Sequence, residues 1–186
     1  MRLKEWFGSV PGAVAVIREI RGTAVIVTHD PEEALRVADR IVLMRAGKVA
    51  QAGRGEDLYL HPNSLFAARF FCELNETPGY AAEGLVTCAL GTFGAQGASN
   101  GRAVVCVRPT GVRLGALDAP GALGRVIARR FLGDVDFYEV AVEGLARPLV
   151  ARLRPTAPGR MDFAVGADVR VAARPEDVLV FAASDA

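Results

Sequence analysis

The sequence predicts two parts in series: an α/β segment over residues 1–75 and an all-β domain over residues 76–186. Three observations predict this. A continuous apolar, β-branched run, Thr23-Ala-Val-Ile-Val-Thr28, leads into a strong helix start at Asp30-Pro-Glu-Glu33, the pattern of a strand buried on both faces and followed by a helix. Beyond Tyr80 the chain turns to short alternating apolar runs broken by glycine and proline, the texture of small antiparallel β domains. Within that region Val105-Cys-Val-Arg-Pro-Thr-Gly-Val112 matches Val171-Ala-Ala-Arg-Pro-Glu-Asp-Val178, which reads as two related strand–turn–strand pieces.

Val14 to Ile20 is a short helix candidate, and the strand over 23–28 ends in His29. Asp30 at the N-cap, Pro31 at the first helical position and Glu33 at the third then start a helix. Ala34, Val37 and Ala38 share one face of it, and Asp39-Arg40 closes it. Ile41 to Met44 is a second strand, Ala46-Gly47 a turn, and Lys48 to Gln51 the returning strand. Gly53-Arg-Gly55 breaks the chain before a short helix at 56–60. Pro62-Asn63 separates that helix from another, on which Phe66 and Phe70 are neighbours. Asn75-Glu-Thr-Pro-Gly79 reads as a boundary by its turn chemistry. Further on, a glycine-rich loop spans Gly94–Gly101. Arg108 and Arg174, each before a proline, anchor turns by hydrogen bonding to carbonyls or carboxylates. Phe131-Leu-Gly-Asp134 reads as a strand end with a turn, its Phe filling the interior.

Hydrophobic residues make up 51% of the 186, enough for a core, and the formal net charge of +1 gives no long-range pull toward nucleic acid or anionic membrane. From residue 80 onward twelve arginines meet eleven acids, and most aromatics fall at positions expected to face the core. Both features argue against a groove for single-stranded nucleic acid. No apolar run approaches the roughly 20 residues a membrane helix needs, and the opening Met-Arg-Leu-Lys-Glu-Trp lacks the apolar stretch of a signal peptide. Cys72, Cys88 and Cys106 are widely spaced and form no metal pattern, as expected of thiols in a reducing cytoplasm.

The stretch richest in chemistry is Val25-Ile-Val-Thr-His-Asp-Pro-Glu-Glu-Ala-Leu35, followed by Ala38-Asp-Arg-Ile-Val-Leu-Met44 and Gly47-Lys48. A strand ending in histidine presents its imidazole at the carboxyl edge of a parallel sheet, where ligands bind in open α/β folds. The imidazole can donate to a phosphate oxygen, with a helix N-terminus nearby. This stretch resembles the switch-histidine segment of ABC ATPases over about residues 23–72. The resemblance implies that His29 contacts the γ-phosphate of ATP, with Asp30 in the acidic place after it.

A second resemblance covers most of residues 56–182. It is carried by Leu58-Tyr59 with Pro62, Phe66-Ala-Ala-Arg-Phe70, Pro78-Gly79, Val107-Arg-Pro109 with Val112, Gly124-Arg-Val126, Phe131-Leu-Gly-Asp134, Tyr138 and Ala173-Arg-Pro-Glu-Asp-Val178. These pieces, in this order, resemble the OB-like regulatory domain called TOBE that follows the ATPase core in bacterial ABC importers. Leu90-Gly91 with Phe93 resembles the ferric-iron and related version.

Together the resemblances imply an α/β remnant of an ABC ATPase domain followed by an all-β OB-like (TOBE) domain. The implied whole is the ATP-binding subunit of a solute importer, ferric iron favoured. It would act as a homodimer at the inner face of the plasma membrane, with ATP and Mg as cofactors and membrane permease subunits as partners. His29 is then the catalytic residue, and Asp30, Glu33, Arg108, Arg174 and Asp134 have structural or regulatory roles. The chain contains no Gly-x-x-x-x-Gly-Lys-Ser/Thr loop, no apolar strand ending in Asp-Glu and no Ser-Gly-Gly-type signature, so by itself it is expected not to hydrolyse ATP. Its strand at 24–27 expects sheet neighbours, without which its apolar faces lie open. The alternative reading is a free-standing OB-like module binding a small oxyanion. That reading calls for Ser, Thr and Lys, whereas the chain's only lysines are Lys4 and Lys48.

Overall fold

A computed structural model of the chain describes residues 17, 19, 22–95, 99–156 and 161–183. The chain divides into two compact units, Met1–Cys72 and Glu73–Ala186.

In the first unit the expected helix over 14–20 lies largely outside the described residues; Ile17 and Glu19 within it are helical. The expected strand at 23–28 is not one. Residues 22–28 join no ladder, and Val25 and Val27 are 90% and 94% exposed. A β-branched run becomes a strand only where neighbours pair its main chain and cover its side chains, and none of the described residues does so here. Helix α1 (Pro31–Val37) follows, capped at Ala38. Strands β1 (Ile41–Arg45) and β2 (Lys48–Gly53) form an antiparallel hairpin. Its two-residue turn, Ala46-Gly47, has positive φ at both positions (49° and 75°), the primed geometry that matches strand twist. Helices α2 (Gly55–Leu60) and α3 (Leu65–Phe71) complete the unit, the latter started by Ser64, whose hydroxyl accepts from the Ala67 amide. Ile41, Leu43, Leu58, Ala67 and Phe71 form its core. Among the described residues this unit has one two-stranded antiparallel sheet and no parallel one.

The second unit opens on β3 (Asn75–Ala82), so the stretch expected to be a boundary turn is strand. Pro78 fits because β4 begins to pair β3 only at Gly79, leaving Pro78 paired on one side, to β6, a strand position proline tolerates. One five-stranded antiparallel sheet has the order β12-β6-β3-β4-β5, with β4 Leu85–Cys88, β5 Gly91–Gly94, β6 Gly101–Val107 and β12 Val178–Ala182. The other has the order β10-β9-β8-β11-β7, with β7 Val112–Gly115, β8 Ala122–Phe131, β9 Asp136–Val142, β10 Leu149–Leu153 and β11 Asp168–Ala173. Inward-facing residues of both sheets, among them Val86, Val105, Val126, Tyr138, Val140 and Val171, form one core with no solvent exposure at these positions. Each fully buried valine contributes about 1.5–2 kcal/mol.

One side chain ties the two sheets. The buried Asn75 amide donates to the carbonyls of Val107 on β6 (3.2 Å) and Val150 on β10 (2.8 Å), and its Oδ1 accepts from the Val150 amide (2.7 Å). It thus acts as a short strand segment against β10, the edge of the second sheet. A second polar anchor sits at the far end of β8. Arg129 holds the fully buried Asp136 through two bonds (3.2 and 3.0 Å), reaches Asp162 (3.0 Å) and lies 5.3 Å from the Tyr138 ring centroid. Its bond to Asp136 raises the guanidinium pKa further. On the surface Arg125 pairs with Asp168 at 2.8 Å and holds that carboxyl below the usual range.

Phe131 does not fill the interior: it is 65% exposed. It is the last residue of β8, beyond the bulge between Val126 and Ala128, and lies opposite the fully buried Asp136 on β9, yet its ring is left in solvent. Phe93, Tyr138, Phe163 and Phe181 are buried as expected, whereas Tyr80 is 60% exposed.

Replacing Asn75 with Ala leaves the Val150 N–H and two carbonyls without their partner. The expected loss is about 2–3 kcal/mol in urea unfolding; a loss under about 0.5 kcal/mol would show that the amide is dispensable.

Candidate functional site

His29 follows the unpaired 22–28 segment and is exposed. The backbone around it is organised. The Asp30 amide donates to Thr28 Oγ1 (3.1 Å), and Asp30 Oδ1 accepts from the amides of Glu32 (2.9 Å) and Glu33 (3.2 Å). Pro31 occupies the first turn, where its missing N–H is harmless. The cap therefore fills the helix N-terminus with the chain's own carboxylate. The positive end of this seven-residue helix, expected to help attract phosphate, is met by the Asp30 carboxylate, which accepts from two of its amides. Glu33 stands half-buried one turn into the helix. Among the described residues no three His, Cys, Asp or Glu side chains gather as metal ligands. The residues present do not by themselves fit a magnesium–nucleotide site.

Arg108 and Arg174 come together at the other candidate. Each follows a strand, precedes a proline-led 3-10 turn (Pro109–Gly111 and Pro175–Asp177) and leads into a strand of the other sheet. The sequence repeat thus marks the two places where the chain crosses between sheets. The crossings pair about a local two-fold: β6 runs against β12, Val107 opposite Val178, and β7 against β11, Val112 opposite Ala173. The Arg174 amide donates to the Gly111 carbonyl (3.0 Å), and its guanidinium reaches the Thr110 carbonyl (3.4 Å) and Asp177 (2.5 Å). Gly111 lies so close to the second turn that a Cβ there would sit 2.4 Å from Asp177 Cβ. Arg108 is 4% exposed, whereas Arg174 is half-buried.

Asp134 joins neither group. It is exposed on the β8–β9 turn, at the opposite end of β8 from Ala122, which pairs with Val171 beside the crossings. Sequence reasoning missed Asn75 and the Arg129–Asp136 pair. Asn75 looked like turn chemistry and carried no sign of burial. The Arg–Asp pair did carry one: opposite charges at 129 and 136, on either side of the Leu132-Gly-Asp134 turn, suit a hairpin in which they meet diagonally, Arg129 lying opposite Tyr138 and Phe131 opposite Asp136.

Residues 105–181, from β6 to β12 and including both crossings, match the TOBE domain family. The β unit carries a TOBE domain. Among the relatives of the chain are import ATP-binding proteins. Over 130 residues it is 40% identical to the Fe(3+) ions import ATP-binding protein FbpC of Agrobacterium fabrum, covering 65% of this chain and 36% of that protein. It is 34% identical over 170 residues to the spermidine/putrescine import ATP-binding protein PotA of Marinobacter nauticus, covering 83% and 44%. It is 32% identical over 187 residues to FbpC 2 of Rhizobium meliloti, covering 89% and 46%. The chain spans between a third and a half of the length of these relatives. A solved structure of the cytoplasmic molybdate-binding protein ModG is similar over 58% of this chain at 13% identity and a TM-score of 0.45, a likeness too loose to speak to function.

The tight approach of the crossings makes a prediction about the TOBE domain. Gly111→Ala is expected to destabilise it by about 1–3 kcal/mol in thermal or urea unfolding, because the backbone of two turns must separate to admit one methyl group. An unchanged midpoint would mean the crossings are not held together.

Proposed function

We propose that the chain is the C-terminal part of the ATP-binding subunit of an ABC importer, ferric iron being the favoured solute. The observation that carries this reading is the exposed His29 after an unpaired β-branched run, immediately before the Asp30–Pro31 helix start, in a chain 32–40% identical to Fe(3+) import ATP-binding proteins. In this reading residues 23–72 are the end of an α/β ATPase domain. Residues 22–28 take up their strand pairing once neighbouring strands are supplied, which accounts for a β-branched run left exposed and unpaired. His29 then donates to the γ-phosphate of bound ATP, and the phosphate loop and magnesium ligands come from sequence this chain does not contain. The TOBE domain serves as the regulatory part, the assembly is a homodimer, and it drives a membrane permease from the cytoplasmic side. Arg108 and Arg174 hold the crossings of the regulatory domain, Asp30 and Glu33 set the helix behind the histidine, and Asp134 lies on a surface turn.

One imidazole supplies about 1.5–3 kcal/mol through a charge-assisted hydrogen bond. Immobilising a nucleotide costs about 4–15 kcal/mol. The chain alone is therefore expected to give no saturable magnesium–ATP isotherm in calorimetry. The decisive experiment grafts residues 23–186 onto the preceding part of the A. fabrum relative, in place of its own C-terminal part, and measures ATP hydrolysis and ferric uptake in cells lacking that relative. The graft should support both. His29→Ala within it should lower hydrolysis about 10- to 150-fold, the rate equivalent of that hydrogen bond. A folded graft that hydrolyses ATP equally well with and without His29 would refute the assigned role.

A further inference from the structure

His29 stands at a bend in the chain and is exposed, so packing does not aim its imidazole. The backbone on either side of it is tied down instead. Before the bend, the half-buried Thr28 turns its hydroxyl forward, and Oγ1 accepts from the Asp30 amide at 3.1 Å. That bond closes a ring whose middle residue is His29, and both backbone dihedrals of His29 lie within the ring. After the bend, the Asp30 carboxylate accepts from the amides of Glu32 and Glu33. A helix leaves its first amides without internal partners. Here Pro31 has no N–H to satisfy, Asp30 serves Glu32 and Glu33, and Thr28 serves Asp30. Only the hydroxyl of Thr28 spans the histidine itself.

We propose that Thr28 is a positioning residue for His29. The inference rests on the phosphate-directed role given to His29 above and adds what holds its imidazole in place. The direction of a side chain from the backbone follows from the φ and ψ of its own residue, and the Thr28–Asp30 bond restrains both at His29. A donor that must meet one oxygen loses rate for every other direction its backbone allows, so a restraint made before the nucleotide arrives favours the reaction. The hydroxyl is the part of Thr28 that does this. Valine has the same branched shape without the acceptor, and serine has the acceptor without the methyl group.

The test uses the graft described above, unchanged and carrying Thr28→Val, Thr28→Ser, His29→Ala, or Thr28→Val together with His29→Ala. Hydrolysis of ATP by Thr28→Val is expected to fall about 3- to 30-fold, because the imidazole stays but is aimed less often. Thr28→Ser should keep the rate within about twofold of the unchanged graft, since its hydroxyl can make the same turn. In the His29→Ala background Thr28→Val should cost nothing further, because it acts only through the imidazole. A loss that adds in full to that of His29→Ala would show that Thr28 serves the helix cap alone, and would overturn the inference. So would a Thr28→Val graft as fast as the unchanged one, or a Thr28→Ser graft as slow as Thr28→Val. In each of these cases a slow His29→Ala graft leaves the role of His29 standing. A His29→Ala graft as fast as the unchanged one would remove that role and this inference with it.

Discussion

Two five-stranded sheets share one core, and the chain passes between them only twice, at Arg108–Gly111 and at Arg174–Asp177. The rest of the β unit depends on those passages being held together. In setting the register, burial excludes a one-residue slip, which would turn the apolar face outward, but not by parity alone a slip of two. The paired crossings fix it: Val107 lies against Val178 and Val112 against Ala173, one pair in each sheet, and the Arg174–Gly111 backbone bond joins the turns directly. Asn75 adds a third fixed point by bonding β6 and β10 from one buried amide. An apolar side chain of that size would be buried equally well, but it could not specify which carbonyls of the two sheets meet.

This constraint also explains which features were legible in the sequence. The repeat of Val-x-x-Arg-Pro-x-x-Val is visible because part of it has a local cause: proline presets each 3-10 turn and the second valine opens the strand after it, whereas Arg174 reaches the Thr110 carbonyl only across the two turns. The hairpin turn Ala46-Gly47 and the cap Asp30-Pro31 are legible for the same reason. What could not be read is what distant neighbours decide. Asn75-Glu-Thr-Pro-Gly79 has every mark of a turn, yet it is strand because β6 pairs with all of it. Thr23–Thr28 has every mark of a strand, yet it is unpaired because no described neighbour lies beside it. In both segments tertiary pairing overrules local propensity, in opposite directions. Phe131 differs again: the bulge between Val126 and Ala128 resets the alternation along β8, which a simple two-residue period does not show.

At the candidate site the sequence located the residues better than their electrostatics. His29, Asp30 and Pro31 stand in the expected order at a helix start. The expectation that the helix would contribute positive potential fails because one side chain cannot both cap a helix and leave its amides free. Asp30 is placed by the same motif that signalled the helix, so the signal for the element also cancels the field attributed to it. Any phosphate that approaches His29 must meet its remaining hydrogen bonds elsewhere.

The two crossing arginines occupy equivalent places in the repeat but unequal environments. Arg174 is half-buried and shares its charge with Asp177 and with solvent. Arg108 is almost wholly buried, where a charged fork is costly to leave unmet. A planar, permanently charged fork can meet several acceptors at once, whereas a lysine ammonium in the same place would lose its proton more readily than it could satisfy them. The crossing at Arg108 is therefore the less adaptable of the two. Local opening of the β unit should begin at the Arg174 turn, where solvent reaches the guanidinium, before the Arg108 turn.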